Sequence, residues 1–129
     1  MSFIEKSRAV NYFRTKMAFT LGPAEVEHLI RDHADVTIVD VRAEDDYRKG
    51  HIPGAINLPK NRWDSVVGLS KTQRNIMYCY SQQCHLATEA CLKFALKGFR
   101  VMEMEGGMEA WRQFGNQVIS EETATRRAA

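Results

Sequence analysis

Asn75-Ile-Met-Tyr-Cys79-Tyr-Ser-Gln-Gln-Cys84-His85-Leu-Ala-Thr-Glu-Ala-Cys91-Leu-Lys-Phe-Ala-Leu-Lys-Gly98 is the stretch whose reading decides the fold. Ile76, Met77 and Tyr78 form an apolar run long enough for a buried strand and too short for a buried helix. From Leu86 the period changes. Leu86, Ala90 and Phe94 recur at helical spacing, and Gly98 stands where a helix C-cap belongs. Cys79 therefore sits between a strand's carboxyl end and a helix N-terminus. Unpaired backbone N–H groups and the helix dipole stabilise a thiolate there, together with any anion beside it. Such a place suits nucleophilic sulfur chemistry or oxyanion binding.

Upstream, residues 36–40 (Val-Thr-Ile-Val-Asp) are β-branched and almost continuously apolar, as in a parallel strand covered on both faces. Residues 43–49 predict a short helix with Tyr47 on its inner side. Residues 55–58 predict a second short strand, and residues 61–67 a helical turn with Trp63, Val66 and Val67 facing in. Downstream, residues 100–104 alternate as a strand, Glu105-Gly106-Gly107 is a tight turn, and residues 108–114 form a helix carrying Trp111. Near the start, Gly22-Pro23-Ala24-Glu25 has Gly at N-cap, Pro at N1 and Glu at N3, the opening of a helix. Its His28 and His33 read as surface histidines. Residues 3–19 predict a helix that buries its own apolar face, followed by a short strand near Met17 to Phe19.

These elements make an α/β chain with a central parallel five-stranded sheet and helices on both faces. It divides into an N-terminal helix and strand packed on the domain (1–21), the domain itself (22–114) and a polar tail that frays (115–129). Ligand chemistry in such sheets lies at the strands' carboxyl ends, where Asp40, Cys79 and Glu105 all fall. The 129 residues suffice for one core, and 44% hydrophobic with 26% charged residues is ordinary globular composition. A net charge of +2 with scattered Lys and Arg gives no reason to invoke nucleic acid or a membrane surface. No apolar run approaches the ~20 residues of a membrane span, and the first residues lack the apolar region of a signal peptide. Three cysteines without an export signal predict reduced thiols in the cytoplasm.

Asp40-Val-Arg42 with Tyr47 and Gly50-His51-Ile52-Pro53-Gly54-Ala55-x-Asn57 resembles the first signature of the rhodanese family. Glu105-Gly106-Gly107-x-x-x-Trp111 resembles its C-terminal signature, and Tyr78-Cys79 falls where the family keeps its active-site cysteine. The resemblance covers roughly residues 22–114, with three motifs in the correct order. It implies a single rhodanese-like domain and a sulfurtransferase. Cys79 would take a sulfane sulfur from thiosulfate or a persulfide donor, hold it as a persulfide, and pass it to a small-molecule or protein thiol or to cyanide, with no cofactor or metal. The implied site is Cys79 with the loop Tyr80, Ser81, Gln82, Gln83, Cys84 and His85, supported from behind by Asp40 and Arg42. The oligomeric expectation is a monomer or weak homodimer. The loop departs from the family in lacking its Gly three residues after the cysteine and its terminal Arg or Ser, and the stretch from Cys79 to Gly98 looks about two residues longer than is usual for the family. Loss of the Arg weakens binding of an anionic donor. Enlarged loops in dual-specificity cell-cycle phosphatases need Cys-x5-Arg, and His85 in the sixth place argues against phosphatase chemistry.

Several residues keep two readings. Cys79 is nucleophile or inert core thiol, and the flanking signatures favour the former. Cys84 either fills the place of a small residue or resolves a persulfide or sulfenate on Cys79, giving a Cys79–Cys84 disulfide; the chain would then act as a dithiol redox switch. Loss of the loop Gly and Arg equally admits a non-catalytic binding module. His85 either tunes Cys79 as an imidazolium or is simply exposed. Cys91 reads as core. Asp40 reads as a cap for the following helix, Arg42 as the partner of a carboxylate, and His51 as bonded to backbone. Gly106 and Gly107 serve a backbone geometry that a side chain forbids, and no ligand spacing supports zinc.

Overall fold

The computed structural model describes residues 1–121. Strand β2 (Val36–Asp40) pairs with β4 (Arg74–Tyr78), with Ile38 opposite Ile76. On one side β3 (Ile56–Asn57) extends the sheet from β2; on the other β5 (Val101–Met104) pairs with β4 and β1 (Thr20–Leu21) with β5. All pairings are parallel, in the order β1-β5-β4-β2-β3.

The period of two along each strand sorts side chains into two cores. Ile38, Ile76, Tyr78 and Met102 face α2 (Pro23–Arg31) and α5 (Gly107–Gln113), packing with Val26, Met108 and Trp111. Val39, Val41, Met77 and Cys79 face α4 (Leu86–Leu96) and a 3-10 helix (Lys60–Ser65), packing with Ala87, Ala90, Phe94 and Trp63. The alternation that buries Tyr78 on one face thus delivers Cys79 to the α4 face. The opening of α2 is as read: Gly22 N–H donates to Glu25 Oε1 at 3.1 Å. Gly98 follows the α4 C-cap Lys97 in the left-handed region.

Four expectations need correction. The N-terminal segment is one helix, α1 (Phe3–Phe19), that buries none of its side chains; Phe3, Ile4, Phe13 and Met17 are all exposed. Phe3, Val10, Phe13 and Met17 share one side of the helix, but Lys6 and Arg14 interrupt it and these apolar residues face solvent. The strand follows at Thr20–Leu21 instead of residues 17–19, because Met17 and Ala18 continue the helix and Gly22-Pro23 ends the segment. Val67 faces solvent, since Val66 caps the 3-10 helix at φ 50° and turns the chain outward. Finally, the tail is not frayed at residues 115–119. Ile119 forms an antiparallel bridge with His51 (N···O 2.8 and 2.9 Å), Gln117 O accepts from Trp111 Nε1 at 2.8 Å, and Val118 packs on the core. Residues 122–129 of that predicted tail lie outside the described residues. Among the described residues no helix is long and apolar enough to cross a membrane.

Candidate active site

Cys79 is the first residue after β4, and two helix N-termini hold the loop it opens. The first turn of α5 donates to the loop's carbonyls: Met108 N–H to Cys79 O at 2.8 Å and Glu109 N–H to Tyr80 O at 2.9 Å. These are N–H groups that a helix leaves without internal partners. Gly106 N–H adds a bond to Gln82 Oε1 at 2.7 Å. Gly107, at φ +60°, lies so close that a Cβ on it would come within 2.7 Å of Cys79 O, Ser81 N and Tyr80 C. The Gly-Gly motif is therefore the seat of the cysteine loop.

The sulfurs face the other helix, α4. Cys79 Sγ accepts hydrogen bonds from the backbone N–H groups of Ala87 and Tyr80, and Cys84 Sγ from those of Leu86 and Tyr80. One backbone donor, Tyr80 N–H, acts on both, and each thiol bears on the other's ionisation. Cys79 Sγ is also 3.4 Å from Cys84 O, and Cys84 N–H closes the turn onto Ser81 O at 3.2 Å. Burial pushes the Cys79 thiol up to about 11, with the Ala87 N–H opposing and Cys84 adding to the rise. Burial acts on Cys84 too, but the Leu86 N–H, the Cys79 S–H and the Tyr80 N–H outweigh it and hold Cys84 below the ordinary cysteine range. Of the two thiols, half-buried Cys84 is the one that ionises more easily and buried Cys79 the one that holds its proton. Cys91 stands apart in α4, its thiol on Met102 O at 3.5 Å and pushed up to about 12 by burial.

Behind the loop lies a buried ion pair. Asp40 accepts from Arg42 Nη2 at 2.8 Å, from Arg42 N–H at 2.9 Å and from Tyr78 O–H at 2.6 Å. Asp40 is thus the partner of Arg42 and not a helix cap; α3 (Glu44–Lys49) starts at Ala43 with no side-chain cap. Arg42 continues to Gly50 O at 2.6 Å, and its guanidinium lies 5.8 Å from the Tyr78 ring and 5.6 Å from the Tyr80 ring. Burial opposes its charge, but the hydrogen bond and attraction of Asp40 prevail and raise its pKa. Burial and the Asp40 carboxylate likewise push the Tyr78 phenol far above its usual range. Arg42 is clamped between the two tyrosines that flank Cys79. His51 bonds backbone, its Nδ1 2.8 Å from Tyr47 O.

Among the loop residues, Tyr80 O–H donates to Asp46 Oδ2 at 2.6 Å and accepts from Ala43 N–H at 3.2 Å. Ser81 and Gln82 make the bonds above, and Gln83 is exposed. His85 is the exposed N-cap of α4; its carbonyl accepts from Glu89 N–H, and its ring is not among the partners of either sulfur. Beside the loop opens a cleft of about 480 Å³ whose walls include Ala43, Lys60, Arg62, Tyr80 and Leu86. Lys60 pairs with Glu89 at 3.0 Å and Arg62 Nη2 lies 3.4 Å from Asn57 Oδ1. The sequence reading missed these two cations, because they come from the 3-10 helix and belong to no motif. The α5 amides were equally unforeseen as loop anchors, although Glu105-Gly106-Gly107 marked the place. Among the described residues no group of three or more ligand side chains could hold a metal.

The family model for the rhodanese-like domain matches residues 22–114. A crystallised protein from Bacillus halodurans superposes with a TM-score of 0.83 at 34% identity, covering 90% of this chain and 87% of its own. A protein of Allochromatium vinosum named as a sulfurtransferase is 28% identical over 95 residues, 72% of this chain and 87% of that one. An HTH-type transcriptional regulator of Mycobacterium tuberculosis is 36% identical over 86 residues, 66% of this chain; the match spans only 38% of the regulator.

Proposed function

Because the chain belongs to the rhodanese-like domain family, we propose that it is a sulfurtransferase that carries a sulfane sulfur as a persulfide on Cys79. The observation that carries this reading is the placement of Cys79 Sγ at the N-terminus of α4, where the Ala87 and Tyr80 amides point at it. Those donors stabilise a thiolate before the reaction and negative charge on the persulfide after it. The family relative named as a sulfurtransferase adds support.

The neighbouring thiol offers a route to activation. As a donor approaches, the Cys79 proton passes to Cys84, whose backbone oxygen lies 3.4 Å from Cys79 Sγ, so no outside base is needed. The Cys79 thiolate attacks the sulfane sulfur of thiosulfate, the sulfur–sulfur bond breaks, and sulfite leaves with the electron pair. An acceptor thiol or cyanide then takes the outer sulfur. The cations Lys60 and Arg62 in the adjoining cleft offer the donor's oxyanion the charge that the loop itself lacks. Intact and peptide-level mass spectrometry tests the proposal. After exposure to thiosulfate, and separately to a low-molecular-weight persulfide, Cys79 gains one sulfur atom that cyanide removes, and Cys79→Ser gains none. Uptake on Cys84 in the Cys79→Ser protein at the wild-type rate would show that the wrong thiol was chosen.

A further inference from the structure

We infer that Cys84 is a second catalytic thiol, which attacks the Cys79 persulfide and releases its sulfur as hydrosulfide, leaving a Cys79–Cys84 disulfide. This rests on the Cys79 persulfide proposed above. The two thiols belong to one turn: Cys79 Sγ lies 3.4 Å from Cys84 O, and Cys84 N–H closes the turn onto Ser81 O at 3.2 Å, so Cys84 is held beside the sulfur of Cys79 before any reaction begins. Cys79 is buried and Cys84 half-buried. An intramolecular thiol held beside it outcompetes an external one that has to reach a buried sulfur.

The chemistry selects which sulfur is attacked. An acceptor that takes the outer sulfur must expel the Cys79 thiolate, which burial makes a strong base and so a poor leaving group. Attack by Cys84 on the inner sulfur expels hydrosulfide, a weaker base than an alkyl thiolate. The persulfide forms as an anion, so Cys84 first passes the proton it took from Cys79 to the terminal sulfur, which makes that sulfur able to leave as hydrosulfide and Cys84 a thiolate. Its thiolate then forms a bond to Cys79 Sγ while the bond from Sγ to the sulfane sulfur breaks, and hydrosulfide departs with the electron pair. The sulfane sulfur is reduced and the two cysteines are oxidised together. A dithiol reductant exchanges with the disulfide and restores both thiols. Over one cycle thiosulfate and a dithiol give sulfite, hydrogen sulfide and the oxidised dithiol, with atoms and electrons balanced. Cys91, in the helix and bonded to Met102 O, takes no part.

The test is a single turnover of the full chain with thiosulfate and no reductant, following sulfite, hydrosulfide and protein mass. The expected wild-type result is sulfite and hydrosulfide in equal amounts, a protein lighter by two hydrogens, and a peptide joining Cys79 to Cys84. Cys84→Ser, and Cys84→Ala as a second variant, are expected to form sulfite more slowly, to keep the extra sulfur on Cys79, and to release hydrosulfide at least about tenfold more slowly. Sulfite from the wild type with a lasting Cys79 persulfide and a free Cys84 overturns this inference and leaves the sulfurtransferase standing. No sulfite, and no sulfur on any cysteine from thiosulfate or a low-molecular-weight persulfide, overturns both.

Discussion

Cys79 and Cys84 have the same ionisable group and opposite electrostatic fates: burial dominates at Cys79, whereas at the less buried Cys84 the neighbouring donors outweigh it. Alkylating reagents trap thiolate and not thiol, so the two sites should separate along the pH axis. Cys84, held below the ordinary range, is ionised at lower pH than a free cysteine and labels first at neutral pH. Cys79, held up to about 11, labels as the solution becomes strongly alkaline. Replacing Cys84 by Ser removes the neighbouring negative charge, so the Cys79 midpoint should fall, while burial keeps it above that of an exposed cysteine. Peptide-resolved alkylation rates from neutral to alkaline pH check all three statements, and labelling of Cys79 ahead of Cys84 at neutral pH would refute them. The position of Cys79 was legible in the sequence, because a strand of period two and a helix of period 3.6 meet there. The charge distribution was not: it depends on how deep each sulfur lies and on which amides reach it. The position of His85 leaned slightly toward a role at the site, but its exposed ring is not among the groups acting on either sulfur.

Two helix N-termini converge on one loop, and each does a different job. The α4 amides point at sulfur, whereas the α5 amides point at the carbonyls of Cys79 and Tyr80 and fix the loop's path. Close approach between α5 and the loop requires Gly107. Gly107→Ala places a methyl group within 2.7 Å of three backbone atoms at a positive φ, where an L side chain is already strained. We expect it to cost about 3 kcal/mol, read from the urea midpoint. The amides that hold the loop would shift with it, so sulfur uptake on Cys79 should fall as well. Unchanged stability and unchanged uptake would mean that the loop does not rely on α5. The Gly-Gly pair announced a backbone requirement in the sequence, but only the fold says which backbone it meets. Helix α1 marks the opposite limit. Its helical spacing was readable, yet periodicity does not reveal whether a partner surface exists, and here it buries no side chain on the domain.

At the scale of the whole molecule, the signatures of residues 40–57 and 105–111 are tied into one continuous support that extends past the family match. Ile119 bridges His51, and Gln117 O receives the Trp111 indole. From His51 the support runs to its neighbour Gly50, whose carbonyl binds Arg42, and Arg42 lies between Tyr78 and Tyr80 on either side of Cys79. The short stretch at 115–119 carries no local signal of this role, because its bridge is formed with His51, more than sixty positions earlier in the chain. Removing everything after Phe114 would break four backbone hydrogen bonds, two with His51 and two closing the end of α5, leave the buried Trp111 N–H without its acceptor, and uncover the core where Val118 packs. At about 1 kcal/mol for each lost bond and 1–3 kcal/mol for the orphaned donor, the loss of stability should be about 6 kcal/mol. Removal of residues 122–129 alone leaves every one of these contacts intact. Urea unfolding of the two truncated chains beside the full one distinguishes them. If the chain ending at Phe114 unfolds at the full-length midpoint, the tail is a passive extension after all. If it is destabilised, and its remaining folded fraction also takes sulfur onto Cys79 more slowly, the path from Ile119 through Gly50 and Arg42 to the loop is a working part of the site.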